Sequence, residues 1–196
     1  RHRLSPLTTV ADLIASDSRH SGHFKIRIES PMKRFTDKVA IVTGAAQSIG
    51  KATAMRLADE GATVVVADRV ADVAELTVAE IAGAGGIATS CIVDLETADG
   101  AREMVRDTVA RYGRIDVSVH NVGGTIWAKP FWEYTDDEIE KEIRRSLWPT
   151  LWCCRAVIPA MRKQQSGVIV NIGSVATRGI NRIPYSAAKG GIEAIT

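Results

Sequence analysis

Apolar residues recur along this chain in short apolar-rich runs, unbroken at 39–42 and 64–67, separated by stretches in which they return every three or four positions. The runs at 39–42, 63–67, 87–93, 115–119 and 168–172 are rich in valine and isoleucine, and each is predicted as a strand. Between them, residues 49–60, 73–82, 98–112 and 136–163 carry helical periodicity, and a last helix is expected to begin near 185. Gly61 and Gly113 stand where the first and third helices should stop. A strand covered on one face alternates apolar and polar residues; one covered on both faces reads as a continuous apolar run. The pattern therefore predicts an α/β fold, a doubly wound parallel sheet with helices on both faces. Right-handed crossovers then put every strand C-terminus on one edge, where ligands bind in such sheets.

The first 31 residues stand outside this pattern, with no sustained helical or strand period. They are expected to form a disordered leader, with residues 32–196 as the folded domain and Met32 as the natural start. Three of the four histidines, His2, His20 and His23, fall in that leader and are read as part of it rather than as metal ligands.

Composition narrows the classes. A chain of 196 residues with 45% hydrophobic and 24% charged content suits one globular domain with a substantial core. The formal charge of +2 comes from the leader, where Arg1, Arg3, Arg19, Lys25 and Arg27 outnumber Asp12, Asp17 and Glu29. The rest is neutral, so no basic stripe points to nucleic acid. No apolar run approaches the roughly 18–20 residues that span a bilayer, and no signal peptide opens the sequence. Cys91, Cys153 and Cys154 have neither disulfide-framework nor zinc spacing. They are read as reduced thiols of a cytoplasmic protein, mostly packed as small apolar groups.

The first strand runs directly into Thr43-Gly-Ala-Ala-Gln-Ser-Ile-Gly50 and then into a helix. Such a strand, glycine turn and helix start form a cradle for a pyrophosphate. Gly44 permits the sharp turn, Gly50 permits close helix–sheet packing, and the free N–H groups around Gln47, Ser48 and Ile49 face the phosphates. Ser48 occupies a position where such loops often have glycine. A modest loss of affinity is expected from it, with a steric cost if its φ must be positive.

Asp68 ends the second strand, where a carboxylate accepts hydrogen bonds from both ribose hydroxyls and repels a 2′-phosphate. That favours NAD over NADP, although Arg69 beside it argues mildly the other way. Asp94, after the third strand, can reach an adenine amino group. Asn121 and Gly123, after the fourth, would bring backbone close to the adenosine. Each of these residues alone is also compatible with ordinary turn chemistry.

Downstream, Tyr185 and Lys189 share one helix face at i and i+4, with Ser174 eleven residues before the tyrosine. Tyrosine is a poor base at neutral pH unless nearby positive charge favours the phenolate, which Lys189 and a cationic nicotinamide would supply. Lys189 can also hold the nicotinamide ribose, and Ser174 can hydrogen-bond a substrate oxygen.

Taken together, the glycine loop, Asp68, Asn121, Ser174, Tyr185 and Lys189 resemble the short-chain dehydrogenase/reductase family over residues 35–196. The resemblance implies a Rossmann fold, a nicotinamide cofactor, a Ser–Tyr–Lys site, no metal and a dimer or tetramer when full length. The strings NVGGTIWAKPF (121–131), RRSLWPTLWCC (144–154) and SVATRGINRIPY (174–185) are similar to the bacterial benzoate cis-diol dehydrogenases. Those enzymes oxidise 1,2-dihydroxycyclohexa-3,5-diene-1-carboxylate with NAD to catechol and carbon dioxide. For such a substrate, Arg178 or Arg182 is the expected grip on the carboxylate, with Lys129 a further cation nearby and Trp127 a possible ring neighbour.

Two positions depart from the family pattern. Ser146 stands where many members carry a proton-relay asparagine, so its hydroxyl is the expected substitute. His120 replaces the first asparagine of the usual N-N-x-G string, in a position of strand support. Family members also continue through further strands, so the fold is expected to be truncated after the fifth strand and the start of the following helix. The alternatives to the diol reading are another ketone reductase, such as a 3-oxoacyl reductase, and a non-catalytic NAD-binding fragment.

Overall fold

The computed structural model describes residues 33–196, so the expected leader and its histidines lie outside the described residues. Five strands, β1 (Val39–Thr43), β2 (Thr63–Asp68), β3 (Ile87–Ile92), β4 (Val117–His120) and β5 (Val168–Asn171), form one sheet in the order β3-β2-β1-β4-β5. Every pairing is parallel. Helices α1 (Ser48–Asp59), α2 (Ala71–Gly83), α3 (Ala98–Tyr112), α4 (Asp136–Ser146), α5 (Trp148–Gln164) and α6 (Ile183–Ala194) complete the domain.

The central strand shows why the sequence reads as continuous apolar runs. Ala40 and Val42 point into a core with Ala54 and Ala58 of α1 and Ala74 and Ile81 of α2. Ile41 points the other way, into a second core with Met104 of α3 and Cys153 and Val157 of α5. All five β1 side chains are buried, and each fully buried valine or isoleucine contributes about 1.5–3 kcal/mol relative to exposure. α4 packs against α5 and α6.

The single helical stretch expected over 136–163 is two helices, broken at Leu147. Pro149 lies in the first turn of α5, where its missing N–H has no intrahelical partner to lose. A proline at this place suits a helix start and would kink a helix running through it. α4 begins with a capping box: Thr135 Oγ1 accepts from the Glu138 N–H, and Glu138 accepts from the Thr135 N–H at 2.8 Å. α6 starts at Ile183, two residues ahead of Tyr185, with Pro184 in its first turn. Among the described residues, no helix is long and apolar enough to cross a membrane.

Candidate active site

Sheet order places the C-terminal ends of β1, β2, β3 and β4 side by side, and the segments leaving them line a cleft of about 330 Å³. Gly44, Gln47, Ser48, Ile49, Asp68 and Asp94 line it, as do Asn121 and Gly123. The remaining glycine of the loop, Gly50, is buried behind that wall. A Cβ there would sit 2.1 Å from the Gly44 carbonyl oxygen and 2.7 Å from Asn121 Nδ2. Only glycine lets α1 approach the turn this closely. Gly44 adopts φ +62°, and Ser48 adopts φ +50°, a left-handed conformation that serine enters at a cost.

The loop is braced from both sides. Asp68 Oδ2 accepts the Ala46 N–H at 3.2 Å and its Oδ1 accepts the Val70 N–H at 3.1 Å. A carboxylate has about four lone-pair directions, so two N–H donors leave capacity for ribose hydroxyls. Asn121 Nδ2 donates to the carbonyls of Thr43 (3.1 Å) and Gly44 (3.3 Å), and its backbone N–H donates to Thr43 Oγ1 at 2.9 Å. The Asn121 side chain therefore fixes the glycine turn, and the backbone around it forms the cleft floor. Asp94 uses one oxygen on the Glu96 N–H (3.0 Å) and is otherwise exposed. A left-handed glycine at 44, a glycine at 50 that no Cβ could replace, and two carboxylates with lone pairs to spare fit a dinucleotide.

Gly123 joins this cleft to the second group of residues. A Cβ at Gly123 would lie 3.4 Å from Lys189 Nζ and 3.5 Å from Ser146 Cα. Lys189 is only 3% exposed, and its ammonium donates to the Ile172 carbonyl at 2.7 Å. Burial lowers its pKa from the ordinary lysine value. Ser146 is fully buried, and its hydroxyl lies 3.3 Å from both the N–H and the carbonyl oxygen of Gly124, so it holds the loop after β4. Tyr185 is half-buried one turn before Lys189 on α6. Ser174 accepts the Ala176 N–H at 3.1 Å, which leaves its own proton to donate.

Ser174 and Arg178 line an open recess together with Val175, Thr177 and Glu193. Arg182, at the N-cap of α6, is exposed and does not line that recess. Lys129 is committed to Glu138 at 2.7 and 2.8 Å, so the structure removes it from the set of free cations. Its N–H and the Tyr134 hydroxyl both donate to the Asn181 carbonyl, at 2.8 and 3.3 Å. The loop after β4 is thereby tied to the loop before Tyr185.

The sequence did not mark Glu142. This carboxylate is fully buried in α4, where Oε1 accepts the N–H groups of Ile126 (2.8 Å) and Trp127 (2.9 Å). Its second oxygen has no protein partner. Spacing puts Glu142 on one stripe of α4, three residues after Ile139 and four before Ser146, but does not mark it as buried. His120 is likewise buried. Its Nδ1–H donates to Asn171 Oδ1 and its Nε2 accepts from Ser118 Oγ, both at 2.9 Å. Burial pushes its pKa down to about 4, so it is a neutral strut between β4 and β5.

The family model for short chain dehydrogenases matches residues 38–196. The chain belongs to this family. It is 55% identical to the 1,6-dihydroxycyclohexa-2,4-diene-1-carboxylate dehydrogenase of Acinetobacter baylyi over 84% of its own length and 62% of the relative's. The Pseudomonas putida dehydrogenase of the same name is 51% identical over 84% of this chain and 60% of that one. The chain thus spans about three-fifths of the length of these curated relatives. A solved metagenomic short-chain oxidoreductase in complex with NADP superposes with a TM-score of 0.78 at 32% identity, over 82% of this chain and 74% of that one. The parallel sheet is the one its apolar pattern predicted, and it agrees with the Rossmann fold that the family resemblance implied.

Proposed function

We propose that this chain carries the NAD-binding and proton-transfer residues of a dehydrogenase that converts the benzoate cis-diol to catechol and carbon dioxide. The observation that carries the reading is the identity of 55% and 51% to two dehydrogenases named for that diol acid. Ser174, Tyr185 and Lys189 are all present in this chain, together with the cleft that Gly123 joins to Lys189.

The glycine turn and the N-terminus of α1 would hold the pyrophosphate, Asp68 the adenosine ribose and Asp94 the adenine. Lys189 would hold the second ribose. Bound there, the nicotinamide supplies the hydride acceptor. NAD rather than NADP is favoured by Asp68, whose carboxylate would face a 2′-phosphate across a few ångströms.

Of the two hydroxyls on the diol acid, only the secondary one sits on a carbon that bears a transferable hydrogen. Ser174 donates its free proton to that oxygen and orients it, while the Tyr185 phenolate accepts the hydroxyl proton. The carbonyl so formed lies β to the carboxylate. The carbon–carbon bond to the carboxylate then breaks, carbon dioxide leaves, and the ring becomes aromatic. Arg178, which shares the recess with Ser174, is the better placed of the two arginines to grip the carboxylate. Ser146 holds the loop at Gly124 and completes the proton path through its hydroxyl. Three free thiols suit a reducing cytoplasm, and a homo-oligomer is the form we expect.

The test is a product assay on the whole chain with NAD and the benzoate cis-diol. NADH and catechol should form in equal amounts, and Tyr185→Phe should reduce the rate by about 100-fold or more. NAD binding without turnover would instead favour a non-catalytic nucleotide-binding chain.

A further inference from the structure

One charge cluster at the mouth of the cofactor cleft has no part in the reaction above. Arg69 Nη1 lies 3.4 Å from Glu96 Oε1, and Arg145 Nη1 lies 3.9 Å from the same oxygen. Three separate elements converge here: Arg69 follows β2, Glu96 follows β3, and Arg145 is in the last turn of α4. All three line the cleft with Asp68 and Asp94. The Glu96 side chain is 23% exposed, against 54% for Arg69 and 41% for Arg145. Its backbone is fixed by the hydrogen bond from its N–H to Asp94 Oδ1.

Ion pairs this exposed contribute little to folding, so stability does not account for the arrangement. Ligand choice does. Arg69 stands directly after the carboxylate proposed to bind ribose, where a guanidinium would otherwise accept a 2′-phosphate with two parallel N–H bonds. Arg145 adds a second guanidinium to the lining of the same cleft. Left free, the pair would offset the repulsion from Asp68. Glu96 engages both and adds a negative charge of its own.

We infer that Glu96 is a specificity-determining positioning residue, which holds Arg69 and Arg145 in ion pairs across the cleft mouth and so denies both guanidiniums to a 2′-phosphate. The inference rests on the cleft being a nicotinamide-dinucleotide site. It adds to Asp68 a second carboxylate that acts through the arginines rather than on the ribose.

The experiment compares 5′-AMP with 2′,5′-ADP, which differ only in the 2′-phosphate, by calorimetric titration of the whole chain. Wild type should bind 5′-AMP more tightly. In Glu96→Gln that preference should fall about tenfold, because one opposing charge is removed and two guanidiniums are released toward a dianion. Adding Arg69→Leu to Glu96→Gln should restore most of the preference, and raising the salt concentration should shrink the change. A merely structural role for Glu96 would move both affinities together and leave their ratio alone. An unchanged ratio in Glu96→Gln, with 5′-AMP still bound by wild type, overturns the inference and leaves the cofactor site standing. Failure of wild type to bind either nucleotide overturns the cofactor reading and the inference with it.

Discussion

Ser48 carries its unfavourable φ of +50° in the folded chain, and a bound cofactor does not create that strain. Strain common to the free and bound forms cancels from the binding equilibrium and remains in the folding equilibrium. Ser48→Gly should therefore raise stability by about 0.5–1 kcal/mol, the left-handed cost less the entropy of glycine. In thermal unfolding this is a Tm increase of about 2 °C, with NAD affinity changed less than about twofold. A large gain in affinity with no gain in Tm would contradict this account.

Arg178 gives a second prediction at the residue scale. Losing a charge-assisted grip on the carboxylate should raise KM for the diol acid by about tenfold or more, whereas Arg182→Ala should have the smaller effect. Steady-state kinetics of both variants check the order, and the reverse order would move the grip to the start of α6. Other residues were less legible. Glu142 is one glutamate in a helix dense with charge, and its burial depends on the loop that folds over it. Nothing in its immediate neighbours announces that it binds the Ile126 and Trp127 N–H groups.

The elements explain why the strands could be read and one helix boundary could not. Because β1 and β2 meet helices on both faces, their apolar runs have no polar gaps and are bounded by glycine and aspartate. The break at Leu147 is different. Helical periodicity continues across it, and Pro149 suits either the first turn of a new helix or a kink in a long one. The backbone at Leu147, with φ −109° and ψ −50°, makes the distinction, and no residue type encodes it. At the sheet, β4 and β5 are joined near their ends by His120, which was expected only to support the strand. Its lowered pKa fixes the sign of a pH effect. The native imidazole stays neutral down to about pH 4, whereas the unfolded one protonates near 6.5. Between those values the unfolded state binds the extra proton, so stability falls as pH drops through this window and is fully present above it. The span corresponds to about 3 kcal/mol. Urea unfolding of wild type and His120→Asn between pH 7.5 and 4.5 should show the stability difference between them shrinking toward acid. A constant difference would mean that the imidazole titrates normally in the fold.

At the scale of the whole domain, the order β3-β2-β1-β4-β5 performs one task. It aligns Gly44, Asp68, Asp94 and Asn121 on one edge, although they are spread across 78 residues of sequence. That alignment follows from right-handed crossovers, which is why the residues that share this cleft could be picked out at the strand ends of the sequence. The substrate half was less so. It depends on the docking of the loop after β4 against the loop before Tyr185, through Lys129, Tyr134 and Asn181. These contacts join positions about 50 residues apart without any repeating pattern, so the family resemblance could name Arg178 and Arg182 but the sequence did not rank them. The most direct test of the whole account is the stoichiometry of product formation from the benzoate cis-diol and NAD by this chain. The account predicts one catechol for each NADH, with no NADPH formed at comparable rate when NADP is offered. NADH without catechol, or faster turnover with NADP than with NAD, would contradict it.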